Sequence, residues 1–281
     1  NSGDGIATTG GTLTVKDAGS LTVNGAKAIN ANNSKVDITA VNATLNGDVS
    51  TNSAVSIKAT KAANITGAVS ADGANAAVTI DSADTTIGSD ITANGKGAKV
   101  TAKSLSKLDG DVATDADGSV ELNFKEGAAW TGDNGGNTTM SLSKGSWNGA
   151  NTGKLNAALT NGTAWTGDSS GAGSTIKLDA STWNGTNSGA NAVINLTDSS
   201  WTGDNNGAGV VITADNSKWI GNANAAGSAA LTNGSIWTGA STSTDFSLTL
   251  NGSTWNNSGV SSLKSFSGTN GVVDMTNAAA S

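Results

Sequence analysis

Carboxylates, hydroxyls, amides and lysine amines are the chemical side chains this sequence offers, because it contains no histidine and no cysteine. The usual nucleophilic triads and most zinc sites are therefore out of reach. So are disulfides and thiolate chemistry. The acid pairs Asp81/Asp84, Asp109/Asp111 and Asp115/Asp117 have a spacing calcium can use, but such pairs are more commonly solvated turn residues. The aspartate turns do not follow the calcium-binding nonapeptide pattern. Nor does any spacing mark a serine–lysine pair. Enzymes that cleave acidic polysaccharides on strand solenoids group several carboxylates with arginine or lysine. Here the acids come singly and arginine is missing. Neither an enzyme, a cofactor nor a resident metal is expected.

What does recur is a set of short polar residues beside the tryptophans: Thr131, Asp133, Asn148, Thr166, Asp168, Asn184, Thr202 and Asp204. Short side chains repeated at a fixed interval lose little conformational entropy on ordering and can sum many modest hydrogen bonds into avidity. These eight positions are the candidate self-association ladder.

The interval comes from Trp130, Trp147, Trp165, Trp183, Trp201, Trp219, Trp237 and Trp255, one spacing of seventeen residues followed by six of eighteen. One small unit is thus built repeatedly, too short for the common helical repeats and for a propeller blade. Apolar residues alternate ahead of each indole, as in Met140/Leu142, Ile176/Leu178, Ile194/Leu196 and Phe246/Leu248/Leu250. Period two predicts a short strand with one face buried. A turn former follows that strand, Gly145, Gly162, Ala180, Asp198, Asn216, Gly234 or Gly252, and then a second short strand carries the tryptophan. After most indoles comes Thr-Gly or Asn-Gly, where glycine supplies positive φ or close backbone approach. Aspartate stands three residues after the first, third and fifth tryptophans, which points to a two-coil genetic unit.

The first half repeats less cleanly. Gly47, Gly67, Gly88, Gly110 and Gly132 are 20, 21, 22 and 22 residues apart, and in that phase Ile65, Ile87 and Leu108 hold the place that Trp130 takes next. Val55/Ile57, Val78/Ile80 and Val120/Leu122 supply a second apolar face. Units of identical sense argue against a hairpin meander and for an all-β parallel β-helix of about 14 coils of 18–22 residues, each strand pairing with its equivalent one coil along. A single domain over 1–281 is expected: longer coils over 1–128, tryptophan coils over 129–260, and a terminal coil or the start of a cap over 261–281. Core residues in phase with the indoles place the tryptophans inside as a structural ladder; an exposed aromatic strip for sugars or a partner is the alternative.

Fifteen lysines against twenty-two acids give a net charge of −7, without the dense basic surface or arginine forks a nucleic-acid binder uses. There are 38 glycines and no proline, yet the tryptophan interval and strand alternation separate the chain from a disordered one. No run of eighteen apolar residues and no signal peptide stand in it, so the chain is not expected to span a membrane, and an excised or mature fragment would look like this. Flat threonine arrays that order water would need Thr-x-Thr on every coil, whereas threonine here alternates with asparagine.

Gly-Ser-Trp-Asn-Gly at 145–149, Gly-Thr-Ala-Trp-Thr-Gly at 162–167 and Gly-Ser-Ile-Trp-Thr-Gly at 234–239, with Leu-Asn-Gly-Asp-Val upstream at 45–49, resemble the repeats of passenger domains of Gram-negative autotransporter adhesins of the AIDA type and antigen 43. The similarity covers essentially the whole chain. It implies a right-handed parallel β-helix displayed outside the outer membrane or released from the cell, without the membrane barrel that anchors such passengers. It further implies self-association between cells, biofilm formation or attachment to host glycans or matrix proteins. A passive stalk that displays a binding module elsewhere is the competing expectation.

Overall fold

The computed structural model describes residues 3–277; residues 1, 2 and 278–281, which belong to the expected first and last coils, lie outside the described residues. The chain is an all-β parallel β-solenoid of about 14 turns. It divides into two compact units, Asn1–Ser146 and Trp147–Ser281.

In the first unit the strands Lys35–Thr51, Ala54–Ile65, Ala77–Ile87, Lys99–Asp109 and Ser119–Thr131 succeed one another coil by coil in parallel register. Alternation along each strand sends equivalent residues inward, so they stack into files. Val36, Val55, Val78, Val100 and Val120 form one file, and Ile38, Ile57, Ile80, Ala102 and Leu122 a second. A third runs Leu45, Ile65, Ile87, Leu108 and Trp130, so the aliphatic residues of the early coils and the first tryptophan share one position. Short strands Val69–Asp72, Ile91–Asn94 and Val112–Thr114 add a fourth file, Val49, Val69, Ile91 and Val112. All of these side chains are buried. Each large one stabilises the fold by about 1.5–3 kcal/mol. Strand Ser119–Thr131 runs unbroken across position 128, where the coil length changes.

Each tryptophan coil of the second unit alternates a strand of five or six residues with a shorter one that carries the indole, for example Thr175–Asp179 then Thr182–Asn184, and Val193–Thr197 then Ser200–Thr202. Between them the chain turns through a left-handed residue: Ala180 (φ 47°), Asp198 (φ 49°), Asn216 (φ 47°) or Gly252 (φ 60°). Asp, Asn and Gly tolerate that region, and Ala180 is the costlier choice. The first unit makes the equivalent turn at Lys144 (φ 50°), one residue before the Gly145 that the sequence points to. Immediately after the turns at Ala180, Asp198, Asn216 and Gly252 the side chain points inward and is a small hydroxyl. Ser181, Ser199 and Ser217 are buried and donate to the carbonyls of Asp179, Thr197 and Asp215 at 2.8, 2.6 and 2.7 Å. Ser199 and Ser217 also accept from the coil before, Ser181 N donating to Ser199 Oγ and Ser199 N to Ser217 Oγ at 3.0 Å each.

The seven indoles of this unit lie inside. Trp147, Trp165, Trp183, Trp201, Trp219 and Trp237 are at most 1% exposed and Trp255 5%. Neighbouring rings stack with centroids 4.4–5.1 Å apart and planes within 3–6° of parallel. Trp130 in the first unit is likewise buried. The last described strands, Ser265–Thr269 and Val272–Asp274, pair in parallel with the coil before them, setting Phe266 on Leu248 and Val273 on Trp255, so this segment is a further coil.

Candidate functional site

The Trp-x-Gly motif joins one coil to the next. Trp165 Nε1 donates to Gly149 O at 2.9 Å, Trp183 to Gly167 at 2.9 Å, Trp201 to Gly185 at 2.8 Å, Trp219 to Gly203 at 3.0 Å and Trp237 to Gly221 at 2.8 Å. The glycine two residues after one indole is thus the acceptor for the indole of the following coil. These glycines stack so closely that a Cβ on Gly167, Gly185, Gly203 or Gly221 would stand 1.9–2.0 Å from the carbonyl oxygen of the glycine one coil earlier. Gly167, Gly203 and Gly221 also hold φ of 149–152°. Both reasons for glycine read from the sequence therefore operate.

Four residues after the indoles lies a file that the sequence reading passed over. Asn151, Ser169, Asn187, Asn205, Ala223 and Ser241 bridge from coil to coil in parallel and are all 0% exposed. Asn151 Nδ2 donates to Ser169 Oγ at 3.0 Å and Asn187 Nδ2 to Asn205 Oδ1 at 2.8 Å, an internal amide ladder. In the first unit Val112 meets Asn134 at the equivalent place, so an aliphatic file gives way to amides. Asn187 Oδ1 has no hydrogen-bond partner among the described residues. The signal was present: asparagine stands four after Trp130, Trp147, Trp183 and Trp201.

The structure sorts the eight candidate ladder residues into two kinds. Thr131, Asn148, Thr166, Asn184 and Thr202 each follow an indole directly, point outward and are exposed. Thr166, Asn184 and Thr202 stand in one file, continued by Ile220 and Thr238. Their side chains make no hydrogen bond among the described residues, whereas Thr238 accepts from Asn256 Nδ2 at 3.3 Å. The aspartates, by contrast, are structural staples. Asp168 Oδ1 accepts from Thr186 N and Asp204 Oδ1 from Asn222 N, both at 2.7 Å, and Asn222 Oδ1 accepts from Ala240 N at 2.9 Å. Asp168 is exposed and Asp204 half-buried. Asp133 is exposed and its own N–H donates to Asp111 Oδ1 at 2.8 Å, in a file where Asp111 N donates to Asp90 Oδ1 at 2.9 Å. Asp168 and Asp204 thus each serve the coil after them, and Asn222 does the same with its amide oxygen.

The acid pairs weighed for calcium are engaged otherwise. Asp81 pairs with Lys103 at 3.1 Å and Asp109 with Lys107 at 3.1 Å. Asp84 takes Lys125 at 2.6 Å and the Ser106 hydroxyl, and Asp115 accepts from the backbone of Gly95, Asp117 and Gly118. Among the described residues no group of three or more acids, histidines or cysteines is placed to hold a metal ion. No described helix is long and apolar enough to cross a membrane.

The Lys125 ammonium and the Ser106 hydroxyl hold the Asp84 carboxyl below the usual carboxylate range, and Lys99 with Asn123 does the same for Glu121. A carboxylate lowered in the folded state contributes stability that is present above its unfolded pKa and disappears as pH falls through the folded value. Melting of the protein, followed by far-ultraviolet circular dichroism, is thus expected to be flat from neutral pH to about 5 and to decline below about 4. The decline should be small, since both carboxylates are solvent-screened. Lys125→Met should flatten it; an unchanged acid limb in that variant counts against the assignment to Asp84.

No protein-family model, curated protein or solved structure matches the chain.

Proposed function

We propose that this chain is a non-enzymatic, surface-displayed adhesive segment, akin to an autotransporter passenger, that joins copies of itself through the file Thr166, Asn184 and Thr202. The observation that carries the reading is the contrast on one surface. These three side chains are exposed, in register and unpaired, while the neighbouring Asp168 and Asp204 are stapled to the next coil. A file at about 4.8 Å spacing meets an identical file on a second copy in register, and each hydrogen bond adds about 0.5–1.5 kcal/mol. Antiparallel or parallel pairing of two copies then multiplies a weak contact.

Beads coated with the protein should clump, and Thr166→Ala with Asn184→Ala and Thr202→Ala should lower the clumped fraction severalfold without moving the melting temperature, since no internal contact is removed. Clumping unchanged in the folded triple variant would refute the adhesive file. A chain that does not clump at all would be a stalk carrying a binding module elsewhere. Attachment to host glycan or matrix protein is the other adhesive reading, and one surface feature bears on it.

A further inference from the structure

Beside the adhesive file the second unit carries a groove of about 400 Å³ that crosses four consecutive coils. That volume lies within the range of about 300–1,000 Å³ usual for small-ligand sites. Its origin is local: after the left-handed turn the chain directs Ser181, Ser199 and Ser217 inward, so these small residues line it between the outward residues on either side. One wall is the file Thr182, Ser200, Lys218 and Ile236, in register from coil to coil. The Thr182 and Ser200 hydroxyls and the Lys218 ammonium have no partner among the described residues, and Ile236 is 38% exposed. Asp198 and Asn216 face them from the other wall, Asn216 Nδ2 donating to Asp198 Oδ1 at 2.6 Å.

The occupant follows by elimination. A peptide strand has no edge to join, because the backbone there is committed between coils: Ser200 N to Ser181 O at 3.0 Å, Lys218 N to Ser199 O at 2.9 Å and Asp198 N to Asp215 O at 3.1 Å. A polyanion would meet a single lysine with Asp198 opposite it in a protein of net charge −7. What remains matched is a neutral chain bearing many hydroxyls and some C–H surface. Hydroxyls can donate to the second Asp198 oxygen and accept from Lys218, both charge-assisted bonds, while Ile236 covers apolar ring surface.

We propose that this groove binds a short neutral oligosaccharide, with Lys218 and Asp198 as its specificity-determining groups. The proposal goes beyond self-association and does not depend on it. The whole protein would be passed over immobilised neutral tri- to hexasaccharides of glucose, galactose and mannose, their sulfated and uronate counterparts, and Ser/Thr-rich pentapeptides. Retention of a neutral sugar is expected, with about tenfold weaker binding in Lys218→Ala and again in Asp198→Ala, the loss anticipated for one hydrogen bond to a charged group. Ser200→Tyr should block the groove, and the Thr166, Asn184 and Thr202 triple variant should bind sugar normally even if it no longer clumps. No retained neutral sugar, preference for the charged sugars or peptides, or binding indifferent to Ser200→Tyr would overturn the assignment. Near-ultraviolet circular dichroism of the stacked indoles verifies folding of each variant.

Discussion

Trp201→Ala is expected to lower the stability of the second unit by about 3–5 kcal/mol, the range for emptying a large aromatic site in a core that cannot fully collapse. The indole is 0% exposed and lies between Trp183 and Trp219, with ring centroids at 4.8 and 5.1 Å. Three things disappear together: the buried surface, two stacking contacts of about 0.5–1.5 kcal/mol each, and the donor to Gly185 O. Trp201→Phe keeps much of the first two and loses only the third, so it should cost about 1–3 kcal/mol through the unpaired carbonyl. Guanidinium unfolding followed by tryptophan fluorescence separates the two variants. A loss under about 1 kcal/mol for the alanine variant is incompatible with an interior ladder. The same pair of variants should leave clumping and sugar binding intact under conditions where they remain folded.

The second large effect is expected from a single methyl group. Gly185→Ala places Cβ 1.9 Å from Gly167 O and 3.0 Å from Trp183 Nε1, the two atoms that hydrogen-bond each other at 2.9 Å. Neither can retreat: the oxygen is backbone and the indole is wedged in its stack. Overpacking of this kind costs about 1–3 kcal/mol, and the upper end is anticipated because the added atom also strikes the inter-coil bond. Gly162→Asn is the informative control. Its φ is 88°, a region asparagine tolerates, and nothing lies within 4 Å of an added Cβ, so a loss of about 1 kcal/mol or less is expected. Equal losses in the two variants would mean that the close approach of Gly185 to Gly167 O adds nothing to the cost.

Much of this architecture was legible because a solenoid writes its register into its spacing. The tryptophan interval, the alternating apolar pairs and the phase of Ile65, Ile87 and Leu108 are one-dimensional records of the inward files. Legibility failed where a residue's direction depends on a corner. Asp168 and Asn184 look alike in sequence as polar residues beside an indole, yet Asp168 reaches forward to the next coil's backbone while Asn184 is left free. Asparagine at 151, 187 and 205 faces inward, although so polar a residue in a bend is ordinarily solvated. Polarity ordinarily signals exposure, and only the fixed offset from tryptophan betrayed burial. The groove was hidden for a different reason, since it is made by the absence of bulk at Ala180 and Gly234 and by inward serines, none of which is conspicuous alone.

The bond from each indole to the glycine of the coil before it makes a tryptophan coil a donor to the coil before it and an acceptor from the coil after it. Excision of eighteen residues, or their duplication, therefore restores the same bond between whichever coils become neighbours. No contact in such an array refers to a particular partner, only to an adjacent one. The length of the tryptophan region is in that sense a free variable: recombination between repeats can change how many coils the unit holds without inventing a new fold, so its extent can be selected by counting coils.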